Sequence, residues 1–244
     1  MKNIKIGLMF DGTNYHGFQR QKNGITIQEC LENAIKKLSG ECVQINGCGR
    51  TDAGVHAEYY TASFFWDSKI PCEKIPIALN TCLPDDIRII DAEEADESFH
   101  ARFSAKGKTY SYKIATGAVC DVFLRNFCWF CPCEPDFDKM RKAAEYFIGT
   151  HDFKGFMSSG SPRKTTVRTV KDLTVEKNGD IFDIDITADG FLYNMVRIIT
   201  GTLLYAGIGR IEPDDIPRII LSGDRREAGI TAPPQGLRLK RVYY

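Results

Sequence analysis

Residues Asn46-Gly47-Cys48-Gly49-Arg50-Thr51-Asp52-Ala53-Gly54-Val55-His56-Ala57 gather three glycines, one arginine, one aspartate and one histidine in a dozen positions. Val43 and Ile45 alternate just before them, and the apolar, aromatic run Ala62 to Trp66 follows, a pattern that reads as strand, tight loop, strand. Gly49 and Gly54 would permit positive φ on either side of Asp52, presenting its carboxylate on a sharply bent loop. Taken alone, Gly-x-x-Asp-x-Gly reads more plainly as a glycine-rich turn with a solvated aspartate.

The surrounding patterns set the fold class. Ile4, Ile6 and Leu8 alternate in a first strand ending at Phe10. Thr26-Ile27-Gln28-Glu29 has the form of a capping box, and Ile27, Leu31, Ala34, Ile35 and Leu38 continue at helical spacing until Gly40. A short helix is expected from Ile75 to Leu79, a strand at Ile87 to Ile90, and a connection at Phe99 to Phe103. Lys108 to Ile114 alternates as a strand with Tyr110 and Tyr112 on one face. Asp136 caps a helix predicted to reach Ile148, and His151-Asp152-Phe153 reads as a loop. Thr166 to Glu176 and Ile181 to Thr187 flank Lys177-Asn178-Gly179-Asp180, a strong hairpin signal. Phe191 to Ile208 reads as a largely apolar helix with Arg197 in its middle, a guanidinium that must reach water or find a carboxylate. A short helix from Asp214 to Leu221 and a rigid turn at Ala232 to Leu237 lead to a closing strand. The expectation is α+β, with two halves of mainly antiparallel sheet spanning residues 1–104 and 105–244.

Charge and cysteines narrow the function classes. The 32 basic and 32 acidic residues cancel, so overall charge does not announce a polyanion partner. Local strips could still hold a phosphate backbone, and fit a solvated surface equally well: Arg102, Lys106, Lys108 and Lys113 occur without an acid between them, as do Arg163, Lys164, Arg168 and Lys171. Nine scattered cysteines suit reduced thiols in the cytosol, and Met1 to Asp11 reads as a strand, unlike a signal peptide. Cys128, Cys131 and Cys133 lack a second ligand pair at zinc spacing, so no metal is expected there. Three function classes remain on the residues alone. One is an RNA-acting enzyme using Asp52. Another is a metal-dependent phosphoesterase built from Asp11, His16, Asp52, His56, His151 and Asp152. The third is an RNA-binding chaperone without catalysis.

The string Gly49 to Ala57 resembles the signature of the tRNA pseudouridine synthase A family, in which the aspartate is catalytic. Other strings extend the resemblance nearly end to end. They are Asp11-Gly12 with the loop Tyr15 to Gln21, Lys108-Thr109-Tyr110, Gly190 to Arg197, and Ala232-Pro233-Pro234 with Gly236-Leu237; Phe18 departs from the family's tryptophan. The resemblance implies the pseudouridine synthase fold, with two similar halves about a central cleft. It implies Asp52 as nucleophile on C1′, or as base in a glycal route, Arg197 as its charge partner, and Tyr110 packed on the flipped base. Such a pair about 4 Å apart gains roughly 4 kcal/mol and lowers the aspartate pKa by about one to three units. Gln19, Arg50, His56, Lys164 and Arg168 are the candidate substrate contacts. The expected substrate is tRNA, modified at uridines of the anticodon stem-loop (positions 38 to 40). No cofactor or metal is expected. The partners implied are the tRNA anticodon arm and a second copy in a cytoplasmic homodimer.

Overall fold

In a computed structural model residues 1–160 and 165–244 are described, and they divide into two compact units, 1–106 with 238–244, and 107–237. The fold is α+β with largely antiparallel sheets. In the first unit β1 (Lys2–Phe10) is followed by α1 (Ile27–Ser39), β2 (Asn46–Gly47), β3 (His56–Trp66), α2 (Ile75–Asn80) and β4 (Ile87–Ala95). β1 lies between its two long antiparallel neighbours, with Ile6 opposite Ala62 of β3 and Ala92 of β4. Its alternating Ile4, Ile6 and Leu8 are buried, as are Tyr60, Phe64 and Trp66 of β3. Each such side chain contributes about 1.5–3 kcal/mol on leaving water. α1 starts where Thr26 accepts from the Glu29 N–H at 3.3 Å and stops where Gly40 turns left-handed. Glu29 spends its own carboxylate on Arg20, so the reciprocal half of the capping box is replaced by an ion pair at 3.2 Å.

The second unit runs β5 (Gly107–Ala115), β6 (Trp129–Phe130), α3 (Phe137–Glu145), β7 (Gly149–Asp152), β8 (Val167–Asn178), β9 (Ile181–Ala188), α4 (Met195–Gly207) and α5 (Ile216–Ser222). Its sheet has the order β5-β9-β8-β7, all antiparallel. The predicted hairpin closes through the two residues Gly179 and Asp180, with Asn178 paired to Ile181 and Gly179 at φ 60°. β10 (Leu237–Tyr243) then lies parallel to β3, with Arg238 opposite His56.

Four expectations need correction. His151 and Asp152 sit in the short strand β7, where pairing to β8 overrides their loop-like composition. α3 ends at Glu145 rather than Ile148. α4 begins only at Met195, because Asn194 takes φ 62° and breaks the apolar run that starts at Phe191; Arg197 therefore lies in the first turn. The closing strand, residues 238–244, belongs with the first unit.

Candidate active site

Asp52 is half-buried on a loop whose backbone is gripped from beneath. The Val55 N–H donates to the Asp52 carbonyl at 3.2 Å, and Gly54, at φ 77°, donates to the Tyr15 carbonyl at 3.3 Å. Upstream, the Tyr60 hydroxyl donates to the Gly49 carbonyl and accepts from its N–H at 3.3 Å. Gly49 keeps an ordinary φ, so only one of the two glycines expected to turn left-handed does so.

The loop Asp11 to Phe18 supplies the remaining support. A Cβ on Gly12 would stand 2.0 Å from the Val55 carbonyl oxygen, and one on Gly17 would stand 2.2 Å from that of Thr51. Two backbone segments thus approach as closely as only glycine permits. The aromatic groups of this loop are core: Tyr15 is 6% and Phe18 2% exposed, and Phe18 stacks on Tyr60 at 4.2 Å between centroids. Packing accounts for them, and RNA stacking does not. Phe18, the departure from the family string, fills that slot.

Gln19 and Arg50 come together at the surface, the Arg50 Nε–H donating to Gln19 Oε1. His56 lies 5% exposed beneath the loop. Its Nδ1 stands 3.0 Å from the Gly12 N–H and 3.1 Å from Asp11 Oδ1. A backbone N–H can only donate, so Nδ1 accepts in the contact with Gly12. The Asp11 carboxylate beside it also accepts from Thr13 N at 2.9 Å and from the Thr13 hydroxyl. His56 supports the loop from within.

In the second unit Tyr110 stands on β5, 8% exposed, with Phe191 packed edge-on against it at 5.1 Å and 87°. Arg168 lies along Gly190, its Nε 3.6 Å from where a Cβ would be, and donates to the carbonyls of Thr165 and Val167. Contacts that hold Arg197 include Nε donating to the Ala232 carbonyl at 2.7 Å, Nη1 donating to Asn194 Oδ1 at 2.7 Å, and its own carbonyl accepting from Ala232 N at 3.1 Å. Because a guanidinium only donates, the Asn194 oxygen must face Arg197 and its NH₂ must face Ser158 Oγ, 2.9 Å away. Among the described residues Asn194 alone is non-glycine with positive φ. Such strain persists where neighbours over-determine it. Sequence reasoning quoted Asn194 and Ala232 only as parts of strings and missed Ser158; the one available signal for the unusual φ was that asparagine tolerates the left-handed region.

Lys164, with Arg163, lies outside the described residues. No three His, Cys, Asp or Glu side chains converge as a metal donor set among the described residues. The His151 ring is taken by the Ile148 carbonyl at 3.0 Å. The phosphoesterase grouping is therefore not assembled. No helix is long and apolar enough to cross a membrane among the described residues.

A family model described as tRNA pseudouridine synthase matches residues 8–104 and 143–244. A tRNA pseudouridine synthase A from Thermoanaerobacter sp. (strain X514) is 53% identical over 244 residues, all of both chains. One from Acetivibrio thermocellus is 50% identical, again over the whole of both. Among solved structures, a Cbf5-Nop10-Gar1 complex is similar at TM-score 0.40 and 15% identity, covering 97% of this chain and 48% of that one.

Proposed function

We propose, for a chain that belongs to the tRNA pseudouridine synthase family, that Asp52 is the nucleophile, Arg197 its charge partner and Tyr110 the stacking surface for the reacting base. As a tRNA pseudouridine synthase the protein is an isomerase that converts uridine in tRNA to pseudouridine. An Asp52 oxygen attacks C1′ of the target uridine. The N1–C1′ bond breaks and its electron pair leaves on uracil N1. The freed base turns, C5 attacks C1′, and the aspartyl ester bond breaks to return the carboxylate. C5 then loses its proton and N1 gains one. Atoms and electrons balance within one substrate, so the rearrangement calls for no redox partner or group donor.

The observation that carries this reading is the bracing of Asp52. Its loop is fixed through Gly12, Gly17, Tyr60 and the buried His56, so the nucleophile does not have to be ordered during reaction. Arg197, locked by Ala232 and Asn194, is suited to hold a carboxylate charged. Stacking on Tyr110, worth roughly 1–3 kcal/mol, offsets part of the few kcal/mol needed to extrude the base. Arg50 with Gln19, and Arg168, hold the RNA strand. The uridines acted on are those of the anticodon stem-loop, and the working form is a cytoplasmic homodimer.

The test incubates the protein with unmodified tRNA in EDTA and maps pseudouridine, then repeats it with Asp52→Ala and Asp52→Asn. Product in the anticodon stem-loop from wild type alone supports the reading. Undiminished turnover by either variant removes Asp52 from its role, and abolition by EDTA favours the metal-dependent alternative.

A further inference from the structure

β6 runs parallel to β5 with Ala115 opposite Phe130, and the Cys131 N–H extends that pairing by donating to the Ala115 carbonyl at 2.9 Å. The chain then folds back over Pro132: the Cys133 N–H donates to the Cys131 carbonyl at 2.8 Å, a three-residue turn. This turn sets the two side chains together, with Sγ atoms 3.0 Å apart and both residues half-buried. An approach of about 1 Å separates them from the roughly 2 Å of a disulfide. Pro132 removes one backbone freedom from the pair, so little ordering is left to do.

We propose that Cys131 and Cys133 form a reversible modification site whose reactant is a small-molecule disulfide of the glutathione type. Cys131, as thiolate, attacks one sulfur of the reagent, forming a mixed disulfide and releasing one thiolate. Cys133 then loses its proton and attacks Sγ of Cys131, releasing the second. Two protein thiols are oxidised and one reagent disulfide is reduced to two thiols; the two protons leave with them. The order follows from the surroundings: burial first, and then the adjacent Cys131 thiol, push the Cys133 thiol up, so it remains protonated when Cys131 reacts.

The experiment treats the folded protein with glutathione disulfide at pH 8.5, quenches in denaturant with an alkylating agent, and maps all cysteines by mass spectrometry. Expected is an internal disulfide in the peptide holding Cys131 and Cys133, with full reversal by dithiothreitol. Cys133→Ser is expected to carry a lasting glutathione adduct on Cys131, because no resolving thiol remains. Alkylation of both Cys131 and Cys133 in treated wild type would overturn the proposal. So would bonding of either to another cysteine, or a Cys133→Ser protein without adduct.

Discussion

Asn194→Gly separates two things that Asn194 does at once. Glycine adopts φ 62° without the penalty carried by side chains, so the backbone before α4 should keep its shape. What is lost is the amide between Ser158 and Arg197. A hydrogen bond to a charged group is worth about 1.5–3 kcal/mol and a neutral one about 0.5–1.5 kcal/mol. Relief of backbone strain returns about 1 kcal/mol, leaving a net destabilisation of about 1–3.5 kcal/mol. If Arg197 must be held in one orientation, losing its charged hydrogen bond costs at most the same 1.5–3 kcal/mol in the transition state, or roughly 10- to 150-fold in rate. Under the proposed pairing of Arg197 with Asp52, Asn194→Asp should be slower still, because its carboxylate at the 2.7 Å position of Oδ1 would compete for the guanidinium. The assay is single-turnover conversion of tRNA with saturating enzyme, beside thermal melting by circular dichroism. Wild-type rates in both variants would refute the positioning argument. Should Arg197→Lys also react at the wild-type rate, the fault would lie with Arg197 itself.

Two further expectations follow from the same geometry. Gly17→Ala should cost at least about 2 kcal/mol, since left-handed backbone costs about 1–2 kcal/mol and the new Cβ meets the Thr51 carbonyl. Gly40→Ala, equally left-handed but with nothing within 4 Å, should cost only about 1 kcal/mol; equal losses in urea denaturation would contradict the close-approach argument. Arg50→Gln and Arg168→Gln should each weaken tRNA binding and flatten the plot of log K against log salt by about 0.7–1 in slope. An unchanged slope would show that neither touches phosphate.

The features legible in the sequence were those with short-range causes. Alternation placed β1 and β5, the cap and Gly40 bounded α1, and the Asn-Gly pair announced the β8–β9 hairpin. β7 escaped because a four-residue edge strand is made by its neighbour β8 rather than by its own pattern. α4 was extended too far upstream because Phe191 and Leu192 continue its apolar spacing, while one left-handed residue decides the boundary. At the site, the Asp52 loop was visible as a string. Its support was not: Gly12 and Gly17 matter only through backbone atoms some forty residues away. The burial of His56 likewise depends on where the Gly12 N–H points.

The pairing of β10 beside β3 bears on the order in which this protein is built. Leu239 aligns with Ala57, Tyr243 accepts from the Lys106 N–H at 2.8 Å, and the Tyr244 hydroxyl reaches the Ala101 carbonyl at 2.8 Å. The ring of Tyr244 also lies 5.0 Å from Phe99. Residues of β3 therefore wait for a strand synthesised far later in the chain, and until then β3 keeps an unsealed edge. Until β10 emerges from the ribosome, the strand that follows the Asp52 loop lacks one of its neighbours, so this sheet closes late in synthesis.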